Sequence, residues 1–230
     1  MDGESPHAQT LSRGIRMLET IAESDTPLTI AELAGALGVH RSVAYRIVRT
    51  LEDHGLVARD ATGGTQLAPR MAALARGVSR DLQAASLPAL TAAANELGMT
   101  AFLAVLDRSE VVTLVSVEPS HAHASVAQRP GSRHPLAVGA PGIAIQSVLS
   151  ASEWRSAATS PRPEATEARE RGFATSHDEV IRGLSSVAVP LALHGQPIAA
   201  IAVVYVASAE PVETIAARLI VAASAIAAEL

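Results

Sequence analysis

The chain has 230 residues, of which 48% are hydrophobic and 18% charged, enough for one large or two ordinary domains with buried cores. Its formal net charge of −5 argues against a uniformly basic protein surface that binds nucleic acid. The absence of cysteine excludes disulfides, Cys-ligated zinc, iron–sulfur clusters and a thiolate nucleophile. The N-terminus lacks the basic and apolar regions of a signal peptide, and no apolar run is long enough to span a bilayer. We therefore expect a soluble cytoplasmic protein without a membrane partner. We also expect no cofactor.

The first part of the chain predicts a tail followed by three short helices. Residues 1–8 have the composition of a flexible tail, and apolar residues then recur at helical spacing over residues 11–22. Thr29 and Glu32 form a capping-box signature that marks the start of a second helix. Gly38 ends this helix, and only two residues separate it from a third apolar stripe. The short glycine-containing connection is typical of a helix-turn-helix motif.

A hairpin is predicted directly after the third helix. Residues 56–59 and 65–67 have the pattern of two short strands, and the turn between them contains Gly63 and Gly64. The order is therefore helix, helix, tight turn, helix and hairpin. This order predicts a winged helix-turn-helix domain over residues 9–68.

The rest of the chain predicts a linker helix over residues 69–84 and a second domain over residues 85–230. Strands are expected at 101–106, 111–117, 124–128, 186–193 and 198–206, and helices from Ser86 to Gly98, near 141–149, 152–158 and 163–171, and over 210–229. This pattern predicts an α+β fold in which an antiparallel sheet is flanked by helices.

The third helix carries arginines on the face opposite its apolar stripe, and no acidic residue occurs between His40 and Thr50. In a helix-turn-helix, the N-terminal part of this helix meets base edges, and arginine can bond guanine with two hydrogen bonds. The alternative is an ordinary solvated face. The glycine turn and the hairpin together favour DNA binding, with these candidate residues: Thr29, His40, Arg41, Ser42, Tyr45, Arg46, Arg49 and Thr65.

The chain resembles the IclR family of bacterial transcriptional regulators along nearly its whole length. The resemblance is carried by LSRGI (11–15), LTIAELA (28–34), GVHRSVAYRIV (38–48), LEDHGLV (51–57), AVLD (104–107), PG (130–131), RERGF (169–173) and VAVP (187–190). The resemblance implies a winged helix-turn-helix domain joined to a GAF-like effector domain. It also implies a homodimer or dimer of dimers on a palindromic operator, a small-molecule effector, and more often repression than activation.

The resemblance further implies an effector site in the second domain, formed by a loop-to-helix segment, an acidic loop and adjacent strands. The matching residues are His123, His134, Ala140, Pro141, Ser176, His177, Asp178, Ser186, Ala202 and Val204. His123 and His134 stand at positions that are commonly apolar in the family. We therefore expect an acidic effector, held by histidine and by backbone N–H groups at a helix N-terminus.

Other functions have weaker support from the residues. His121 and His123 could share a strand face and bind a metal with Asp178 or Glu179, although an exposed His-rich loop is the simpler alternative. An enzyme is not expected, because the chain has no Gly-x-Ser-x-Gly elbow, no dinucleotide-binding glycine motif and no lysine. A winged-helix module that binds another protein is the remaining alternative.

Regulation is expected to be a ligand-dependent population shift. Effector binding would favour one placement of the two winged helices of a dimer, and so change their fit to half-sites spaced by whole helical turns. We expect the linker helix to transmit this change.

Overall fold

A computed structural model describes residues 8–121, 126–157 and 159–230. The chain forms two units, Met1–Val78 and Ser79–Leu230. The first unit contains α1 (Gln9–Ala22), α2 (Ile30–Leu37), α3 (Arg41–Asp53), β1 (Val57–Arg59), β2 (Thr65–Leu67) and α4 (Arg70–Ala75). This is the predicted order of helix, helix, turn, helix and hairpin.

Local chemistry accounts for the tight connection between α2 and α3. The Thr29 hydroxyl accepts a hydrogen bond from the Glu32 backbone N–H, and the Glu32 carboxylate accepts one from the Thr29 N–H at 2.8 Å, so the predicted capping box is present. Gly38 ends α2 with φ of 65°, in the left-handed region that glycine adopts without a steric penalty. The apolar faces of the three helices meet around Met17, Leu33 and Val48, which are fully buried.

The hairpin is extended by one further backbone pairing. Strands β1 and β2 are antiparallel, with Val57 opposite Leu67. Leu28, which lies between α1 and α2, exchanges both backbone hydrogen bonds with Thr65, at 3.0 and 2.7 Å. This bridge fastens the hairpin to the start of the helix-turn-helix.

The second unit is an α+β domain, as predicted. Its elements are α5 (Arg80–Leu97), β3 (Thr100–Asp107), β4 (Glu110–Val117), β5 (Arg133–Pro135), α6 (Gly139–Val148), α7 (Ala151–Ala157), α8 (Pro163–Arg171), β6 (Ala174–His177), β7 (Ser185–Leu191), β8 (Ala199–Tyr205) and α9 (Val212–Ala228). The six strands form one sheet in the order β5-β4-β3-β8-β7-β6, and every pairing is antiparallel.

The sheet is covered on both faces because its central strands are apolar at successive positions. On one face, Leu103 and Ile201 pack with residues of α5 and α9, including Leu90 and Leu219. On the other face, Phe102, Ala188 and Ala202 pack with α6 and α8. Alanine predominates on this second face, so α6 can approach the sheet closely and place its N-terminus beside strand β6.

The predicted linker helix over residues 69–84 is not a single helix. Helix α4 ends at Ala75, and α5 begins at Arg80 after a turn in which Ser79 has φ of 44°. Helix α5 also begins earlier than the helix predicted from Ser86, and Pro88 lies inside it. Burial of Leu82, which is 0% exposed, favours this longer helix despite the backbone hydrogen bond that a proline removes.

One predicted strand and one predicted loop also differ from the structure. A strand was predicted over residues 124–128, but residues 126–128 do not form one, and residues 124–125 lie outside the described part of the chain. Arg133–Pro135 forms this edge of the sheet instead. Ser176 and His177, predicted to be in a loop, lie on β6 and pair with Ser186 and Ser185 of β7. Across the described ranges, no helix has the length and apolar character needed to cross a membrane.

Candidate nucleic-acid interface and ligand cavity

Helix α3 separates its residues into a buried face and an exposed face. Ala44, Ile47, Val48 and Leu51 are buried. The exposed residues include the candidates that were expected to contact DNA: His40, Arg41, Ser42, Tyr45, Arg46 and Arg49. The predicted orientation of the helix is therefore present in the structure.

The N-terminus of α3 is held by a side-chain cap. His40 Nδ1 lies 3.3 Å from the backbone nitrogen of Ser42 and 2.9 Å from the Ser42 hydroxyl oxygen. The imidazole Nδ1 accepts a hydrogen bond from the Ser42 N–H and so caps the helix. The arrangement fixes the first turn of α3, where unpaired backbone N–H groups favour a phosphate.

The arginines of α3 differ in their ion pairing. Arg49 lies 3.9 Å from carboxylates of both Glu52 and Asp53 within its own helix. Among the described residues, neither Arg41 nor Arg46 has a carboxylate partner. Uncompensated positive charge is therefore concentrated in the N-terminal half of α3, the part that enters the major groove in helix-turn-helix proteins.

The tip of the hairpin is organised by an acidic residue. One carboxylate oxygen of Asp60 accepts hydrogen bonds from the Thr62 backbone N–H at 2.8 Å, the Thr62 hydroxyl at 2.7 Å and the Gly64 N–H at 2.8 Å. The Thr62 hydroxyl, and then the Gly64 N–H, lower the pKa of Asp60, so the carboxylate is ionised at neutral pH. The hairpin tip is therefore compact and carries a negative charge.

Two of the predicted DNA contacts have roles inside the protein. Thr65 was expected to face DNA, but it is 0% exposed because its pairing with Leu28 turns the side chain inward. That expectation is wrong for the Thr65 side chain. Thr29 is exposed, but its hydroxyl is occupied by Glu32 in the capping box.

A groove of about 590 Å³ lies between α1 and α3. Its walls come from both helices and are mainly apolar, with Leu11, Val43 and Ile47 among the lining residues. Leu11 is 64% exposed, and Ile15, one turn further along α1, is 49% exposed. This unit thus presents an unpaired apolar surface next to the recognition face of α3.

The second unit contains a small cavity between the sheet and the segment that follows β6. Its volume is about 40 Å³, enough for only a few water molecules. It is lined by Phe102, Gln128, His134, Ser176, Glu179, Val180, Ile181, Leu184, Ser185, Ser186 and Val204.

The N-terminus of α6, where an acidic effector was expected to bind, is occupied by the protein's own side chains. The Ala140 N–H donates a hydrogen bond to the Ser176 hydroxyl oxygen at 2.9 Å. The neighbouring Gly139 N–H donates one to the Glu179 carboxylate at 2.8 Å. Both backbone donors are therefore satisfied within the protein.

The structure places the predicted effector residues in several different environments. His134, Ser176, Ser186 and Val204 line the cavity. Ala140, Pro141 and Ala202 are buried and are not in the cavity wall. His177 and Asp178 are exposed side chains that face away from the cavity, and His123 lies outside the described residues.

The pair His177 and Asp178 stabilises the segment that closes the cavity. His177 Nδ1 lies 2.9 Å from the Ser185 hydroxyl oxygen, and its Nε2 lies 3.3 Å from Asp178. Asp178 has φ of 60°, and its carboxylate accepts a hydrogen bond from the Gly183 N–H at 2.5 Å. These bonds close the turn that brings Val180 and Ile181 to the cavity.

His134 lies in the cavity wall, where burial affects the pKa of its imidazole. Burial lowers the pKa of its imidazole, and the backbone carbonyls of Pro135 and Val138 only partly offset this effect. The ring is therefore neutral at pH 7. A neutral imidazole can contribute a hydrogen bond, but no positive charge, to the acidic effector expected from the sequence.

Most of the remaining lining residues were missed from the sequence. Phe102 carries a detectable signal, because it alternates with Ala104 on the face of β3 that packs against α6. Val180 and Ile181 carry none, since they lie in an irregular segment with no periodicity, and Gln128 stood at the end of a predicted strand that does not form. Glu179 belonged to the predicted acidic loop, but its partners lie far away in the chain.

The metal-binding alternative receives no structural support from the residues that can be assessed. Residues 8–121, 126–157 and 159–230 contain no group of three His, Asp or Glu side chains arranged to hold a metal ion. His123 lies outside these ranges, so the predicted pair with His121 is not described.

The fold and the exposed cationic helix define the class of the protein, a winged helix-turn-helix DNA-binding protein with an additional α+β domain. The family model described as the IclR helix-turn-helix domain matches residues 10–61. The model described as the bacterial transcriptional regulator IclR C-terminal domain matches residues 75–228. The chain belongs to the IclR family of DNA-binding transcriptional regulators, whose members are not enzymes.

Individual relatives agree with this assignment. The transcriptional repressor IclR of Escherichia coli is 26% identical over 216 residues, which cover 85% of this chain and 79% of that protein. An IclR transcriptional regulator from Alicyclobacillus acidocaldarius has a TM-score of 0.82 at 26% identity, covering 97% of this chain and 99% of its own. An IclR homologue from Microbacterium hydrocarbonoxydans, solved with 4-hydroxybenzoate, has a TM-score of 0.81 at 23% identity, with coverage of 96% and 98%.

Proposed function

We propose that this protein is a repressor whose operator affinity is controlled by a small molecule bound in the second unit. The observation that carries the DNA-binding part is the exposed N-terminal half of α3, where Arg41 and Arg46 have no carboxylate partner among the described residues. In this proposal these arginines contact bases and phosphates, with Ser42 and Tyr45 beside them and Arg49 on the adjacent backbone. The protein acts in the cytoplasm, where its operator is.

The operator is palindromic, and the protein binds it as a homodimer or a dimer of dimers. Two-fold symmetric DNA matches a two-fold symmetric protein whose recognition helices are spaced by a helical turn or a multiple of it. The exposed apolar side chains of Leu11 and Ile15 support self-association, because burial of such side chains against a second copy would remove apolar surface from water.

The effector occupies the cavity bounded by His134, Ser176, Ser186 and Val204. The cavity lies beside the segment containing Val180 and Ile181, both about half exposed, so that a ligand could enter by displacing these two side chains. The Microbacterium protein of the same fold, solved with 4-hydroxybenzoate, supports a small organic effector. The name of the Escherichia coli relative supports repression.

DNA binding is tested with the intergenic DNA upstream of the gene for this protein, measured by fluorescence anisotropy against non-specific competitor. We expect preferential binding, a footprint with two-fold symmetry, and affinity that falls steeply with salt as counterions are displaced. Binding no tighter than to the competitor would contradict the proposal and favour the alternative of a protein-interaction module. Increased expression of the adjacent genes in a deletion strain would establish repression.

Effector control is tested with the variant Ser186→Leu, whose larger side chain fills the cavity. A panel of small acids and alcohols is screened for compounds that change the operator affinity of the wild-type protein. We expect the variant to bind the operator normally and to lose the response to each active compound. An unchanged response in the variant would place the effector site elsewhere.

A further inference from the structure

We propose that Glu179 is a specificity-determining residue of the cavity: its carboxylate excludes carboxylate ligands, and the cavity admits uncharged polar molecules. In this proposal the Glu179 carboxylate already fills the position that a ligand anion would take at the N-terminus of α6. The inference deepens the proposed function and rests on it, because it takes the cavity as the effector site.

The first argument is the position of the Glu179 carboxylate. One of its oxygens accepts a hydrogen bond from the Gly139 N–H at 2.8 Å and from an Arg162 guanidinium nitrogen at 2.5 Å. The next backbone donor, the Ala140 N–H, is taken by Ser176. A helix N-terminus attracts anions through its unpaired N–H groups, and here the Glu179 carboxylate takes the first of these donors and the Ser176 hydroxyl takes the next.

The second argument is the local charge. Arg162 is flanked by two carboxylates, since it also contacts Glu164 through two guanidinium nitrogens at 3.2 and 2.7 Å. A third interaction joins it to the Ala137 carbonyl oxygen at 3.2 Å. The cluster of one guanidinium and two carboxylates is net negative. A ligand carboxylate placed here would be repelled rather than neutralised.

The third argument is the hydrogen-bonding capacity that remains in the cavity wall. The described lining residues include no arginine, and the imidazole of His134 is neutral at pH 7 because burial lowers its pKa. Gln128 donates one amide N–H to the Thr113 hydroxyl, which leaves its second N–H as a donor and its carbonyl oxygen as an acceptor. The Ser186 hydroxyl donates to the Val203 carbonyl oxygen, which leaves only lone pairs. The Ser176 hydroxyl, which accepts from the Ala140 N–H, also keeps its own O–H as a donor. The remaining groups are uncharged donors and acceptors, and so favour an uncharged ligand with hydroxyl or amide groups.

The test is chemical rescue of full-length Glu179→Ala with acetate as the probe. Thermal unfolding is followed by the fluorescence of Trp154, the single tryptophan, which lies in the second unit. Acetate is compared with sodium chloride at equal ionic strength. We expect acetate to raise the Tm of the variant by at least ~2 °C, because it occupies the vacated anion position and stabilises the state that binds it.

Three proteins serve as controls and should show no acetate effect. In the wild type the anion position is filled, and in Glu179→Gln the amide oxygen still accepts a hydrogen bond from the Gly139 N–H. The third control, Glu164→Ala, removes the other carboxylate beside Arg162. A variant that is unfolded in chloride and folds in acetate supports the proposal equally. Acetate stabilisation of the wild type as large as that of Glu179→Ala would overturn it.

A Glu179→Ala variant that does not respond to acetate, folded or not, would overturn it as well. Acetamide, the uncharged counterpart of acetate, provides a second comparison. Glu179→Ala should prefer acetate to acetamide, and equal effects of the two would contradict an anion site. The proposed function is tested independently, by the operator-binding assay on the wild-type protein, which uses neither acetate nor acetamide.

Discussion

The guanidinium of Arg59 lies 5.3 Å above the centroid of the Tyr45 ring, which joins the hairpin to the exposed face of α3. The same guanidinium is 3.1 Å from the Glu52 carboxylate. Its charge is therefore balanced inside the first unit, and the contact orients Tyr45 on the recognition face. Because Arg59 is engaged in this way, Arg41 and Arg46, which have no carboxylate partner within the described ranges, are the strongest candidates for direct DNA contact.

Replacement of Arg46 tests this distinction. We expect Arg46→Ala to weaken operator binding by about 1–3 kcal/mol if the side chain reads a base, with relaxed specificity at one position of each half-site. If Arg46 instead contacts a phosphate, binding should weaken uniformly and the salt dependence should become shallower. Fluorescence anisotropy at two salt concentrations separates these outcomes.

The matched control for Arg46 is Arg155→Ala, which removes the same charge from an exposed position on α7. This control should leave operator affinity nearly unchanged. Equal losses in the two variants would mean that only overall charge matters, and would contradict a specific role for Arg46.

Replacement of Thr65 tests whether its side chain is buried in the protein rather than in contact with DNA. Its hydroxyl is buried and has no hydrogen-bond partner in the part of the chain that the structure describes, which costs about 1–3 kcal/mol of desolvation. We expect Thr65→Val to raise the free energy of unfolding by roughly 1 kcal/mol and to leave operator affinity unchanged. Urea unfolding followed by circular dichroism, together with anisotropy, measures both quantities.

Thr62→Val, at the exposed tip of the hairpin, is the comparison for Thr65. This variant loses the 2.7 Å hydrogen bond to Asp60 and should not gain stability. A loss of DNA affinity in Thr65→Val without loss of structure would restore the interpretation that Thr65 contacts DNA.

Gly142 is needed because α6 begins close to the preceding loop. A Cβ atom at this position would collide with the Leu136 carbonyl oxygen, which also accepts a hydrogen bond from Gln146. We expect Gly142→Ala to lower the free energy of unfolding by about 1–3 kcal/mol, the usual cost of overpacking. Trp154 fluorescence during urea unfolding reports this change.

Gly35→Ala, inside α2, is predicted to have the opposite sign. Nothing lies within 4 Å of the added Cβ, and alanine favours a helix interior over glycine by about 0.8–1.0 kcal/mol. Circular dichroism measures its unfolding. Destabilisation by both substitutions would show that the steric argument for Gly142 is incomplete.

His134 should make stability depend on pH. Burial lowers its pKa in the folded protein, so below about pH 6.5 the unfolded chain binds a proton that the folded chain does not. Its contribution to stability is therefore constant above this pH and falls as the pH decreases towards the folded-state pKa. We expect the wild type to lose stability relative to His134→Gln between pH 6.5 and pH 5.

Urea unfolding of both proteins across this range, followed by Trp154 fluorescence, measures the difference. The other histidines are common to both proteins, so their effects cancel in the comparison. Parallel curves for the two proteins would mean that His134 titrates similarly when folded and unfolded, which would contradict its burial.

The sequence by itself determined the elements whose causes are local. The helical spacing of apolar residues, the capping box of Thr29 and Glu32, and Gly38 at the end of α2 all act within a few residues of each other. They were sufficient to predict the helix-turn-helix and the outward face of α3. The α+β class of the second unit followed from the alternation of apolar strands and helices in the same way.

Only the tertiary structure decided which of the predicted side chains are available to a ligand. Thr65 is buried because it pairs with Leu28, and the N-terminus of α6 is occupied because Glu179 reaches Gly139 from a distant part of the chain. Such pairings leave no periodic pattern in the sequence, since they depend on how separate elements pack. Burial and hydrogen-bond occupancy are properties of that packing, and they determine which chemistry a site retains.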